Sequence, residues 1–161
     1  MDAFGPSLAG TRIEPVDVHH DGRRVVGEWV RAPGVPTRAG AIYFVHGSGL
    51  ALCSPRTHRR LTSWLSRLTG LPVFAVDYRL APRHRFPSAA DDVRAGWDWL
   101  TSQVPPDRVV IAGDSAGGHL SVDLLLQPDV ATNGPAMKHV APFVDTSMPD
   151  NGIEAISGKA G

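Results

Sequence analysis

Cysteine is nearly missing from the 161 residues: Cys53 stands alone. No internal disulfide can form, so the fold does not depend on an oxidising compartment. Cys53 lies in a Leu-Cys-Ser-Pro stretch with no basic residue directly beside it to favour a thiolate, and reads as a structural residue rather than a nucleophile. Net charge is missing too. Sixteen Lys plus Arg balance sixteen Asp plus Glu, which removes the electrostatic case for nucleic acid or an anionic membrane as partner. No stretch approaches the roughly 18 apolar residues of a transmembrane helix. Residues 1–10 lack the basic start and apolar run of a signal peptide. These absences leave the expectation of a cytoplasmic protein that handles a small molecule. There is no internal repeat and no long linker, and the length fits one domain with a single core. That domain is expected over residues 1–145, with a small, polar, disordered tail over 146–161.

What is present alternates between two hydrophobic periods. Residues 12–18 and 23–30 are two β-like runs around His20-Asp21-Gly22, a turn signal, and predict a hairpin. Residues 32–39, rich in Pro and Gly, predict a loop. Ala41-Ile42-Tyr43-Phe44-Val45 is a continuous apolar run, as for a strand covered on both faces. Ser54-Pro55 then resembles an N-cap followed by proline at the first helical position. Leu61, Trp64, Leu65 and Leu68 recur as one apolar helical face, closed by Gly70 as a C-cap.

The pattern repeats with Val73-Phe74-Ala75-Val76 as a strand and a helix from about Ser88 that carries Ala89, Val93, Trp97 and Leu100 on one side. Val109-Val110-Ile111-Ala112 predicts a third buried strand, followed by a helix through His119 that ends near Pro128. Strands alternating with helices imply a mostly parallel sheet with helices on both faces, an α/β fold.

The chemistry is carried by Gly113-Asp114-Ser115-Ala116-Gly117, which fits G-x-S-x-G between an apolar strand and a helix start. Such a turn is tight and tolerates only small neighbours. It lifts the Ser115 hydroxyl above the sheet edge and leaves the Ala116 N–H pointing into the same space. The helix N-terminus adds partial positive charge where an oxyanion would form. A plain glycine-rich phosphate cradle is the competing reading, but a Walker-type lysine and a G-x-G-x-x-G are both lacking. No cofactor and no metal are expected. His46-Gly47-Ser48-Gly49, after the first buried strand, is the second element: a glycine-rich loop there either presents backbone N–H groups to the same oxyanion or is a simple tight turn. Both elements sit at C-terminal ends of strands in one sheet, where ligands bind in open α/β folds.

Three blocks in order then resemble the hormone-sensitive-lipase family of α/β-hydrolases. His46-Gly47-Ser48-Gly49 is similar to its HGGG loop. Asp77-Tyr78-Arg79-Leu80-Ala81-Pro82, with His84, Phe86-Pro87 and Asp91-Asp92, is similar to its D-Y-R-L-A-P block, and Gly113-Asp114-Ser115-Ala116-Gly117-Gly118 to its G-D-S-A-G-G elbow. The resemblance covers residues 12–145 and implies an α/β-hydrolase fold with an N-terminal hairpin. It also implies hydrolysis of a small-molecule carboxylic ester through an acyl-enzyme on Ser115. The N–H groups of Ser48, Gly49 and Ala116 would hold the oxyanion, with His46, Gly47, Gly113, Asp114 and Gly117 in support. Asp77, Tyr78 and Arg79 would brace the loop after the second parallel strand, and His84 and His119 would be structural.

The chain departs from that pattern in two places. Ser48 stands where the family has glycine, adding a side chain that narrows the loop or donates a hydrogen bond of its own. The family also places its acid and its histidine after further βα units, which the residues between Ser115 and Gly161 do not supply, so the chain reads as C-terminally truncated. Residues 135–145 resemble the next strand, interrupted by Lys138 and His139. His139 and Asp145 do not replace the missing pair, because six strand positions at about 3.3 Å each separate them by roughly 20 Å. Two functions therefore stay open: a serine esterase or lipase, or a non-catalytic ligand-binding relative that keeps the pocket without the base.

Overall fold

Asp21 and Gly22 both take positive φ, 47° and 73°, the backbone that a two-residue hairpin turn demands. They join β1 (Arg12–His20) to β2 (Arg23–Arg31) as an antiparallel hairpin that runs from His20↔Arg23 to Arg12↔Arg31. The computed structural model describes residues 7–36 and 40–133. In it the hairpin is followed by β3 (Ala41–Val45), α1 (Arg59–Thr69), β4 (Val73–Val76), α2 (Ser88–Thr101), β5 (Val109–Gly113), α3 (Ala116–Leu125) and α4 (Pro128–Asn133). The expected domain limit near residue 145, the tail over 146–161, and Lys138, His139 and Asp145 lie outside the described residues.

The strands form one sheet in the order β1-β2-β4-β3-β5. β4, β3 and β5 are parallel, and β2 attaches the hairpin antiparallel to β4. Every residue of β3 and β4 is buried, as their unbroken apolar runs require. Tyr43, Val45, Phe74 and Val76 face α2 and α3 through Val93, Trp97, Leu100, Leu120 and Leu124. Ile42, Phe44, Val73 and Ala75 face Leu61 and Leu65 of α1. Helices therefore cover both faces. The chain moves from β3 to β4 on one side and then crosses to β5 on the other, so the strand order reverses at β3. The crevice of an open α/β sheet lies at such a reversal, outside the C-terminal ends of the strands.

The structure corrects three local expectations. The helix starts at Arg59, because Pro55–His58 form a separate 3-10 turn. In that turn Thr57 Oγ1 donates to Ser54 O and accepts the Ser54 N–H. The buried face of α1 takes up only half of the apolar stripe, Leu61 and Leu65, which pack on the sheet. Thr62, Ser63 and Ser66 are buried while Trp64 and Leu68 are exposed. Ser66 Oγ accepts the Ala32 N–H at 3.0 Å and Ser63 Oγ accepts the Leu8 N–H at 3.2 Å, so α1 turns small hydroxyl residues inward to satisfy backbone donors. Finally, β5 is not wholly buried. Among the described residues it pairs with β3 alone, and Val110 is 45% exposed. Beyond α3, Pro128 opens α4, a helix that the sequence reading lacks.

The hydroxyl residues on the buried face of α1 set an expectation. Ser66→Leu should cost about 1–3 kcal/mol by overpacking a filled site, and it also strands the Ala32 N–H. Leu68→Lys should change stability by less than about 0.5 kcal/mol, as for an ordinary surface substitution. Urea unfolding midpoints compare the two, and equal losses would contradict the placement of the helix.

Candidate functional site

Val45 and Gly113, the last residues of β3 and β5, are register partners, so the segments that follow them emerge side by side. Residues 46–49 leave β3, and Asp114 and Ser115 leave β5 into α3. Ser115 is exposed and has φ 48° and ψ −118°. That is backbone an L-residue adopts only under constraint, as at the sharp nucleophile turn between strand and helix. The constraint is visible in the neighbours. A Cβ on Gly117 would overlap the carbonyl oxygen of Val45 and come within 2.6 Å of that of His46. Glycine there lets the start of α3 lie directly on the end of β3.

The two segments are bonded to each other. Asp114 Oδ1 accepts the Gly47 N–H at 2.9 Å, and a Cβ on Gly47 would collide with the same carboxylate. The N–H groups of Gly117 and Gly118 turn back to Asp114 O. By contrast, among the described residues no hydrogen-bond acceptor meets the N–H of Ser48, Gly49 or Ala116. Gly49 is exposed and Ser48 half-buried, so these donors are available to a ligand. Left-handed backbone at Ser48, Gly49 and Leu50, with φ of 84°, 65° and 63°, curls the loop back on itself. The added Ser48 hydroxyl donates to Cys53 Sγ at 2.9 Å; it is tied within its own loop.

His46 is fully buried and does not reach Ser115. Its ring stacks on Tyr78 with centroids 4.2 Å apart and an interplanar angle of 11°. The Tyr78 hydroxyl donates to His46 O at 2.7 Å. His46 Nδ1 lies 3.1 Å from Gly47 O, and Nε2 is buried without a partner. Burial chiefly, with the nearby His58 ring adding to it, brings the His46 pKa down from 6.5 to about 4 even though Gly47 O and Asp114 pull the other way. At neutral pH His46 is an uncharged brace for the loop. Arg79 grips Asp92 with two side-chain bonds of 2.8 and 2.9 Å, and the Asp77 N–H donates to Val26 O, so both brace the segment after β4. His84 and His119 are exposed.

One residue escaped the sequence reading. His58, at the end of the 3-10 turn and 3% exposed, brings Nε2 to 3.5 Å from Asp114 Oδ1. The only signal in the sequence is the Ser54-Pro55 start of that turn, which says nothing about where the ring points. Burial would by itself raise the Asp114 pKa; the hydrogen bond and charge of His58, with the Gly47 N–H, outweigh it and hold the carboxyl below its ordinary value. Among the described residues no cluster of three or more His, Cys, Asp or Glu side chains is placed to hold a metal, and no helix is long and apolar enough to cross a membrane.

The chain is similar to known proteins. A family described as alpha/beta hydrolase fold covers residues 42–150. The chain is 41% identical over 99 residues to the carboxylesterase/phospholipase LipF of Mycobacterium tuberculosis, a match spanning 59% of this chain and 26% of that protein. It is 40% identical over 126 residues to an acetyl-hydrolase of Streptomyces hygroscopicus, spanning 78% and 40%. The crystal structure of an esterase from the bacterial hormone-sensitive lipase family superposes with a TM-score of 0.71 at 35% identity, covering 81% of this chain and 42% of that one. The chain belongs to the α/β-hydrolases, in their hormone-sensitive-lipase family of carboxylesterases and lipases. It spans well under half the length of the relatives it matches.

The state of His46 gives a pH dependence. Its folded pKa is depressed, so below about pH 6.5 the unfolded chain takes up a proton that the folded chain refuses until about pH 4. Stability should therefore fall on acidification across that window, by about 3 kcal/mol in all for this one group. His46→Phe keeps a ring on Tyr78 and removes the proton acceptor. Its stability should fall less steeply between pH 6.5 and 4, as read by chemical unfolding at each pH; a slope equal to that of the parent would contradict a buried neutral His46.

Proposed function

We propose that the chain carries the nucleophile and oxyanion machinery of a serine carboxylic-ester hydrolase. The carrying observation is the exposed, conformationally constrained Ser115 together with the N–H groups of Ser48, Gly49 and Ala116, which meet no acceptor among the described residues. Ser115 Oγ attacks the ester carbonyl carbon and its proton passes to a general base. The N–H groups of Ser48, Gly49 and Ala116 hold the negative charge that develops on the carbonyl oxygen, aided by the N-terminus of α3. Collapse expels the alcohol, which takes up a proton, and leaves an acyl-enzyme that water then cleaves. The names of the relatives, a carboxylesterase/phospholipase and an acetyl-hydrolase, support carboxylic esters as the substrate class. The general base and its orienting acid are not found among the described residues. His46 is enclosed, His58 is turned to Asp114, and no described histidine hydrogen-bonds Ser115. That same observation favours a second reading, ligand binding without turnover.

A fluorophosphonate probe separates the two, because it needs an activated serine. The expected result is slow labelling at Ser115, mapped by mass spectrometry, quickened by added imidazole as an external base and abolished in Ser115→Ala. A folded sample that stays unlabelled with imidazole present would overturn the catalytic reading and leave binding.

A further inference from the structure

His58 has no part in the reaction just described, yet it is buried against the most constrained turn of the molecule. Its ring is fixed from both sides. Nδ1 lies 3.0 Å from Thr57 Oγ1 and 3.3 Å from Ser54 O, while Nε2 faces Asp114 Oδ1 at 3.5 Å. Phe44 and His46 flank the ring at centroid distances of 5.9 and 5.7 Å. With both nitrogens committed, His58 is not the base for Ser115. The Asp114 oxygen that it faces is the one that accepts the Gly47 N–H. Three elements thus meet at one carboxylate: the 3-10 turn through His58, the loop after β3 through Gly47, and the β5–α3 turn through Asp114 itself.

We propose that His58 is a positioning residue for the oxyanion loop. By holding the Asp114 carboxylate in one orientation it fixes the Gly47 N–H, and so sets where the next two N–H groups, of Ser48 and Gly49, stand relative to Ser115. The inference deepens the esterase reading and rests on it for the meaning of those N–H groups. Without the ring beside it, Asp114 Oδ1 is left with the Gly47 N–H and the carboxylate is freer to turn toward water, and Gly47 stands between β3 and the curled loop. Contacts to a charged group are worth enough to matter here, since losing the His58 ring leaves a partly buried carboxylate short of a partner. His58 touches no substrate in this scheme; its effect passes entirely through Asp114.

The test uses two readouts on the same chain. In His58→Ala the Gly47 amide should exchange with solvent about ten-fold faster or more, with the amides of Phe44 in β3 and Leu124 in α3 unchanged. Phosphonylation of Ser115 in the presence of imidazole should slow by a similar factor. His58→Gln, whose Nε2 stands in for the ring Nε2, should restore both. Unchanged exchange at Gly47, a uniform rise at every amide, or no recovery in His58→Gln would each overturn the inference. If His58→Ala does not fold, Asp114→Asn replaces it. That variant keeps an acceptor for Gly47 but removes the charge, and faster exchange confined to Gly47 is again the expected result, while unchanged exchange overturns it. The amide readout does not depend on catalysis. An unlabelled parent with a responsive Gly47 would sink the esterase reading and leave the His58 contact standing.

Discussion

The hydrogen bond from the Gly47 N–H to the Asp114 carboxylate ties together the two segments from which the proposed site is built. Each comes off the C-terminal end of a neighbouring parallel strand, where Val45 stands beside Gly113. Sheet order alone brings the segments close but does not fix their relative height. That takes the absent side chains of Gly47 and Gly117, which let backbone lie on backbone, and an acceptor at residue 114 to bond across the gap. The strained φ of Ser115 is held on one side by β5 and on the other by α3, whose first turn bonds back to Asp114 O.

Two titrating groups beside this bond are both short of water and are held in opposite states by their different partners. His46 is fully enclosed and sheds its charge. Asp114 keeps its charge because His58 and the Gly47 N–H more than offset its desolvation. A carboxylate whose folded pKa lies below its ordinary 3.8 contributes stability that is complete above that pH and is lost as the pH falls through the lower folded value. The buried neutral ring is felt earlier, from about pH 6.5 downward. Neutral His46 is also the form that stacks closely on Tyr78 without a buried unpaired charge.

Much of this was legible in the residues, for identifiable reasons. β3 and β4 read as unbroken apolar runs because helices cover both their faces. Asp21-Gly22 announced its turn because two consecutive positive φ values select few residue pairs. The G-x-S-x-G stretch was placed correctly because its strand and helix flanks have distinct periods. The failures share one cause, partners remote in sequence. Of the stripe Leu61, Trp64, Leu65 and Leu68 only Leu61 and Leu65 pack on the sheet, because the helix also turns Ser63 and Ser66 inward to accept the Leu8 and Ala32 N–H groups. Val110 looked buried because its neighbours are apolar, although among the described residues its face of β5 is not fully covered and it is 45% exposed. His58 gave no sign at all, since its significance lies wholly in the distant Asp114.

The central claim is that the loop after β3 and the turn after β5 converge on one oxyanion position. The structure of Ser115 carrying a phosphonyl group tests it most directly. The account predicts one phosphonyl oxygen within about 2.7–3.1 Å of the N–H groups of Ser48, Gly49 and Ala116, with the Gly47–Asp114 bond intact. A phosphonyl group turned to solvent, with those three N–H groups bonded elsewhere, would contradict it.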